Sequence, residues 1–415
     1  MPAPLRIALV TPDYPPVPTG LGRAACEIAE ALAATGADVT AFTMDRPAKS
    51  TSDSPSGNPQ DRRTNGVRII GCAELARTEK WVRRRAAFGH LIWPHAVRRA
   101  VLHAHRVRPF DVVEATNWYA PAALLTRGPW ATVIRNSTPA SHGFAEHPSL
   151  RDQIDNQAVR ALERVTVRRA DGLISNTTPH RDTICALYGP PIDVAHAVIG
   201  LALPQSLLAT ARQAPPPDPS EPRLLFVGRA ERRKSFDEFL VAMTGPFLRS
   251  RGQRCHSPLV DFVGLATGDL EARCDALAIP AEVRHAFIDH GRADEEQLHA
   301  LYARTTAVVA PSRYESYGIV YREAAAFGRP LVASATDPSA RAFIHEAECG
   351  VLSDDCSPSA IAAATASVLD APERARRYGA NGRRAAAELT RERLAHATLA
   401  LYADALARRD ARLAG

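Results

Sequence analysis

Lysine is almost missing from this chain. Of its 51 basic residues only Lys49, Lys80 and Lys234 are lysine, and the rest are arginine. That lopsidedness reflects coding composition rather than a nucleic-acid surface. The formal charge is only +6 and the cations are dispersed, with neither zinc-finger spacing nor an RNP-like aromatic motif, so no nucleic-acid partner is expected. Cysteine is sparse too: seven residues, an odd number without a C-x-x-C pair, which argues against a disulfide framework and for a reducing, cytoplasmic setting. No run reaches the ~18 to 20 consecutive apolar residues of a spanning helix. The opening MPAPLRIALVTPDYPP lacks the charged segment, apolar core and cleavage site of a secretory signal, so none is expected. Also lacking is any Asp-x-Asp triplet, with which a metal-dependent enzyme chelates a diphosphate through a bound cation; no metal and no resident cofactor are expected.

What is present describes a folded, multi-domain protein. At ~150 residues per domain, 415 residues make two or three domains, and a 46% hydrophobic share fills sizeable cores. Short β-branched apolar runs alternate with amphipathic stretches: LRIALV, ADVTAF, GVRII, DVVEA, ATVIR, DGLIS and IDVAHAVI in the first half, then RLLFVG, LVDFVG, VRHAFI, TTAVVA, PLVAS and CGVLS. Helical patterns such as RAACEIAEALAAT, ending at Gly36, lie between them. Such alternation gives α/β domains with helices on both faces of parallel sheets. The Pro-rich segment 203–222, LPQSLLATARQAPPPDPSEP, interrupts it and reads as a linker. We therefore expect two Rossmann-like doubly wound parallel-sheet domains facing a cleft, over residues 1–202 and 223–385. A C-terminal helix, 386–415, should pack back across them, within a continuous helical pattern from about 372 to 412. The polar segment 49–64 reads as a mobile loop.

Three segments carry candidate chemistry. RLLFVG ends at Gly228 and is followed by Arg229 and Lys234. Cations just past the carboxyl end of a parallel strand suit a pyrophosphate, as a fork and a point charge; the structural alternative is a solvated Arg-rich turn that includes Arg232 and Arg233. The second, PSRYESYGIVYREAAAFGRPLVAS, joins two strands through a loop and a helix. Glu315 falls in the loop, and Glu323 follows Gly318-Ile319-Val320 in the first turns of the helix. Free N–H groups at that helix start form an anion site, and a carboxylate one turn further in can accept from a ribose diol. Two solvated glutamates are the alternative, against which Glu315 stands among Tyr314, Tyr317 and Tyr321 in a loop on a rigid scaffold. In the third, Gly20-x-Gly22 begins a helix ten residues after Val10. This is too far from the strand for a dinucleotide fingerprint, and the next strand ends without an acid. A mobile Gly-Leu-Gly loop there suits close backbone approach to a ligand.

Residues 77–108 hold nine Lys or Arg against one acid, with Trp81, Phe88 and Trp93 interleaved. Docking on an anionic membrane surface is one reading; we favour a helix pair with inward aromatics and solvated arginines.

Together these residues resemble the retaining glycosyltransferases of family 4, which have the GT-B fold. The resemblance runs from TPDYPPVPTGLGRAACEIAEAL through DVVEATNW and ADGLISNT to LLFVGRAERRKS, ALYARTTAVVAPSRYESYGIVYREAAAFGRPLVAS and the closing helix. It implies an N-terminal acceptor-binding domain and a donor-binding domain that transfer a sugar from a nucleotide diphosphate donor, with retention and without metal. The acceptor is a small molecule or a glycan. By that resemblance Arg229 and Lys234 hold the diphosphate and Glu315 reaches the donor sugar. The backbone near Tyr317, Gly318, Ile319 and Val320 contacts phosphate and sugar, Glu323 holds the ribose, and Arg292 lies near the base. Gly20 and Gly22 complete the donor side. Three departures stand out. Ser137, in VIRNSTPASHG, occupies the place of a common acceptor-side histidine, leaving Asn136, Ser137 and His142 as candidates there. Ser235 replaces a usual glycine after Lys234. ATDPSARAF replaces a Gly-Gly…Glu pattern, with Arg341 where an acid is common. Other GT-B chemistry, an epimerase or phosphorylase, and a catalytically weak nucleotide-sugar-binding partner protein are the alternatives.

Overall fold

A computed structural model describes residues 3–17, 19–44, 61–72, 87–143, 147–217, 220–244 and 258–414. The chain divides into unit 1, Met1–Ala202 with Thr390–Gly415, and unit 2, Leu203–Leu389. Each is built on one sheet.

In unit 1 the apolar runs become β1 (Arg6–Val10), β2 (Asp38–Thr43), β4 (Val67–Gly71), β5 (Val112–Thr116), β6 (Ala131–Arg135), β7 (Gly172–Ser175) and β8 (Ala195–Val198). With β3 (Asp61–Thr64) they form one sheet in the order β3-β4-β2-β1-β5-β6-β7-β8. Every neighbouring pair is parallel except β3 and β4. Strands buried on both faces have no polar side to alternate with, hence the continuous apolar runs. Ile7 of β1, for instance, pairs with Val39 on one side and Val112 on the other.

Unit 2 holds β9 (Arg223–Val227), β10 (Leu259–Val263), β11 (Phe287–Asp289), β12 (Ala307–Ala310), β13 (Leu331–Ser334) and β14 (Gly350–Ser353). All are parallel, in the order β11-β10-β9-β12-β13-β14. Alternate side chains of β9 serve opposite cores: Leu224 and Phe226 join Phe236, Phe239 and Phe262 on one face, while Leu225 joins Tyr302, Tyr321 and Phe327 on the other. The doubly wound α/β class read from the sequence is what folds. Among the described residues no helix is long and apolar enough to cross a membrane.

Several expectations need correction. Residues 61–64 of the expected mobile loop are strand β3, because Asn65 (φ 48) and Gly66 (φ 81) both take the left-handed backbone that a two-residue hairpin turn demands. Arg68 Nη2 then reaches Asp61 Oδ2 at 2.7 Å across the hairpin. Residues 49–60, and 77–86 of the basic stretch with Trp81, lie outside the described residues. Segment 203–222 is not a plain linker: it contains the helix Gln205–Gln213, whose Leu207 and Ala211 are buried in the core of unit 2. The continuous tail is two helices, Pro372–Ala387 and Arg391–Ala414. The first lies against the helix Ile319–Ala326 in unit 2. There a Cβ on Gly379 would come within 2.2 Å of Gly328 O, an approach open only to glycine. The second belongs to unit 1, where it covers β6, β7 and β8. Tyr402 OH donates to Glu114 Oε2 at 2.7 Å, and Thr398 Oγ1 accepts from Arg135 Nη2 at 2.9 Å. Arg391 pairs with Glu27 at 2.6 Å and Glu30 at 2.8 Å.

Candidate functional site

Neighbours β9 and β12 in the six-stranded sheet are far apart in sequence. From β9 the chain winds outward through β10 to β11, and from β12 it winds the other way to β14. The carboxyl ends of β9 and β12 thus flank the switch point, where open α/β sheets bind ligands. The two loops that emerge there are the ones that carry the sequence candidates.

After β9 the chain turns at Gly228, on which the stem of Lys234 rests, 3.4 Å from a Cβ built there. The single turn Arg232–Lys234 leads into the helix Phe236–Ala242 through Ser235. Ser235 is fully buried at φ 51 and ψ 43, and its Oγ has no partner. This left-handed backbone accounts for the glycine otherwise usual at the position.

After β12, Glu315 meets this turn. Lys234 Nζ lies 2.6 Å from Glu315 Oε1, and Arg233 Nη1 lies 3.0 Å from the same oxygen. Arg233 Nη1 also donates to Tyr314 O at 3.0 Å, and Arg313 N–H donates to Arg233 O at 2.8 Å, so the two loops are sewn together. Burial resists the charge on Glu315, but Lys234 and Arg233 outweigh it and hold the carboxyl down at about 2. It therefore remains an acceptor at working pH and cannot serve as a proton donor. Arg229 stands apart, 74% exposed and paired with Glu231 at 2.7 Å. The residue beside Lys234 on Glu315 is Arg233, which sequence pattern alone assigns to a solvated turn.

The backbone of Glu315 is held from β13. Its N–H donates to Asp337 Oδ1 at 3.0 Å, and its C=O accepts from Ser339 Oγ at 2.7 Å. Asp337 is fully buried and takes Tyr321 OH at 2.8 Å as well. Burial first, then the charge on Glu315, push its carboxyl up to about 6. Where a glycine pair is common, Asp337 caps the helix Pro338–Ala347 and ties it to the Glu315 loop. The Asp-Pro helix-start signal was readable; the tie was not. Arg341 is exposed.

Gly318, at φ 71 and ψ 64, turns the loop into the helix Ile319–Ala326 with no side chain capping it. A Cβ there would lie 2.2 Å from the Tyr321 ring. Ile319 and Val320 are half-buried at this start, which presents amide N–H groups for an anion. Beneath, the buried Arg322 guanidinium lies 4.0 Å from the Tyr317 ring centroid and 4.1 Å from that of Phe343, and donates to Tyr317 O. Nothing in the sequence singled it out. Tyr317 is itself buried, a wall rather than a surface group. Glu323 is 1% exposed and accepts from Tyr302 OH at 2.8 Å through Oε2. Arg292 is exposed after β11, two strands from β9 in the sheet order. Its neighbour His290 is anchored by Nε2 to Asp261 at 2.7 Å.

The remaining candidates belong to unit 1. Gly20 and Gly22 are not a mobile loop but the first turn of the helix Gly20–Ala34, capped by Thr19 Oγ1, which accepts from Gly22 N at 3.0 Å. Asn136 is buried, its Nδ2 donating to Ile174 O at 3.0 Å. Ser137 Oγ lies 2.8 Å from Thr116 Oγ1, and its N–H donates to Asn117 Oδ1 at 2.7 Å. His142 is half-buried on the turn Ala140–Gly143. No motif pointed to His180, whose Nε2 lies 3.2 Å from Ser137 O and which burial holds down at about 4, a neutral brace.

Comparison with known proteins follows this division. Residues 19–198 match the family described as a glycosyl transferase 4-like domain, and residues 209–385 that described as glycosyl transferases group 1. The chain is 31% identical to a glycogen synthase of Mycobacterium tuberculosis, over 96% of this chain and 94% of that one. It is 29% identical to a D-inositol 3-phosphate glycosyltransferase of Kineococcus radiotolerans, over 93% and 90% respectively. A sucrose-phosphate synthase from Thermosynechococcus elongatus superposes with a TM-score of 0.75 at 22% identity, covering 97% of this chain and 99% of that one.

Proposed function

The chain belongs to the group 1 glycosyl transferases, the GT-B enzymes of family 4, and from that premise we propose a particular reaction. It moves a sugar from a nucleoside diphosphate to an acceptor hydroxyl, without metal and with retention at the anomeric carbon. The acceptor is a small molecule or glycan, the setting specialised-metabolite or glycan biosynthesis in the cytoplasm. The observation that carries this is the pair Lys234 and Arg233 on Glu315, at the switch point, in the loop that ends at an uncapped helix start.

As the anomeric C–O bond to the diphosphate breaks, charge grows on the leaving group. Lys234 and the exposed Arg229, once it leaves Glu231, stabilise it, and amides at Gly318, Ile319 and Val320 act as fixed donors that need no reorganisation. The acceptor oxygen bonds to the same carbon, and its proton passes to the departing diphosphate, which has taken the electron pair of the broken bond. Glu315, fixed as a carboxylate, accepts from donor-sugar hydroxyls, while Arg233 keeps part of its charge so that Lys234 can turn to the phosphate. Glu323 holds the ribose, and Arg292 lies on the base side.

Thermal shift with UDP, GDP, ADP, dTDP and NAD tests the donor site. A tenfold excess over Kd of a ligand bound only by the folded chain adds about 1.4 kcal/mol. One nucleoside diphosphate should shift the wild type and neither Glu323→Ala nor Lys234→Ala. No shift with any diphosphate, or a shift with NAD alone, refutes the site. An inverted product by NMR would overturn retention, and loss of transfer in EDTA would overturn metal independence.

A further inference from the structure

Two consecutive residues of unit 1 other than glycine, Tyr119 (φ 54) and Ala120 (φ 47), take the left-handed backbone just after β5. That conformation is unfavourable for residues other than glycine and persists only where the surroundings impose it, commonly at functional sites. Within the turn Ala120 N–H donates to Asn117 O at 2.7 Å, and from outside the turn is held by Glu163, on the helix Leu150–Arg168. Its fully buried Oε1 accepts from Tyr119 N–H at 3.1 Å and from Ala140 N–H at 3.3 Å, and Oε2 accepts from Tyr188 OH. One carboxylate thus joins the loop after β5 to the loop after β6. Asn117 joins them a second time, its Oδ1 accepting from Ser137 N–H at 2.7 Å.

At the crest of the strained turn stands Trp118, 39% exposed, its ring edge-on to Tyr119 at 4.7 Å. The turn follows the strand at the switch point of this sheet, where the order reverses between β1 and β5. Beside it Asn117 Nδ2 is buried and has no partner, a donor awaiting an acceptor atom. Neither segment 116–120 nor 136–143 contains a lysine or arginine. A phosphorylated ligand would find no cation on these loops, whereas a ring with an apolar face and hydroxyl edges matches an aromatic plate with amide and hydroxyl groups around it.

We propose that unit 1 takes a neutral, polyhydroxylated ring, a sugar or cyclitol, as acceptor, stacked on Trp118 and presented by two loops that Glu163 holds together as a positioning residue. This rests on the transferase reading above. It departs from the phosphorylated acceptor in the name of one relative. Burial, opposed by the bonds from Tyr188, Tyr119 and Ala140, pushes the Glu163 carboxyl up to about 7. Protonation there weakens the clamp as the pH falls. Tyr188 and Tyr119 bond to it directly, and the elements packed around it also carry His142, His180, Arg181, Asp182 and His90, the last paired with Asp155 at 3.5 Å.

The test supplies UDP-, GDP-, ADP- and dTDP-glucose together with methyl α-D-glucopyranoside, maltotetraose and myo-inositol. A parallel reaction contains glucose 6-phosphate and D-myo-inositol 3-phosphate, and products are read by mass spectrometry. Product should form from the neutral set only. Trp118→Ala should raise the acceptor KM at least tenfold while the thermal shift with nucleoside diphosphate is retained, which also certifies folding. The wild-type acceptor KM should rise about threefold or more from pH 8 to pH 6, and Glu163→Gln should show the raised value at both. Product from the phosphorylated set alone, or none from the neutral set despite a nucleotide shift, overturns the inference and leaves the donor site standing. Wild-type acceptor KM values in both variants overturn it too. Absence of any nucleotide shift removes the reading beneath it.

Discussion

Asp337 and Glu315 are joined by one hydrogen bond and displaced in opposite directions, which makes them separable by pH. Glu315, held down at about 2, contributes stability above its ordinary range, lost only as the pH falls from about 4.5 towards 2. Asp337 ionises in the folded chain near pH 6, against an ordinary 3.8. Below that ordinary value both folded and unfolded chains hold the proton, and nothing is lost. Between 4 and 6 the unfolded chain ionises first, so stability falls, by about 2 to 3 kcal/mol once the pH exceeds 6. Asp337→Asn should therefore gain on the wild type as the pH rises from 4 to 6.5, read by urea unfolding; a constant gap would show that Asp337 ionises normally. Ser235 offers a simpler test. Ser235→Gly removes a Cβ from a left-handed backbone and a buried hydroxyl without a partner, and should stabilise by about 1 kcal/mol. A loss of stability would mean that Oγ is used.

Among elements, the helix Ile319–Ala326 depends on its entry. Gly318→Ala combines a positive φ with a Cβ 2.2 Å from a buried tyrosine ring. It should cost about 2 to 4 kcal/mol and weaken nucleoside diphosphate binding, measured by unfolding and titration calorimetry. Unchanged affinity would separate the helix start from the donor site. The same scale shows what was legible in the sequence. RLLFVG and TTAVVA read as strands because burial on both faces leaves no room for polar residues. DRRT did not, being a polar edge strand whose Asn65-Gly66 turn was its only signal. The helix break at 388–390 carries neither Gly nor Pro; Thr390 Oγ1 accepts from Arg393 N–H at 3.3 Å to cap the next helix, and Leu203 N–H donates to Leu389 O at 3.0 Å. At the site, Lys234 and Glu315 stood out through motif and scarcity. Arg233, Arg322 and Asp337 act through contacts that exist only once separate loops and helices have met.

For the whole molecule, the Arg391–Ala414 helix is the organising fact. Glu114 and Arg135, paired at 2.7 Å inside unit 1, each take a further partner from it, Tyr402 and Thr398. Removing one partner from a buried charged group costs about 1 to 3 kcal/mol. Tyr402→Phe and Thr398→Val should each lower the unfolding transition of unit 1 by that order, while the nucleoside diphosphate shift of unit 2 stays as in the wild type. Differential scanning calorimetry with and without nucleotide reads both, and an unmoved transition would show the helix to be dispensable. The order of synthesis gives this arrangement a further consequence. The first 202 residues leave the ribosome well before residue 391, and at about 5 to 20 residues per second the wait is roughly 10 to 40 seconds. During that interval the face of β6 and β7 that the last helix covers is bare, and Glu114 has only Arg135. Unit 2 is made whole in one stretch while unit 1 waits, so the half begun first is the last to be finished, and a chain released short of its final helix carries a recognisable defect in its opening half.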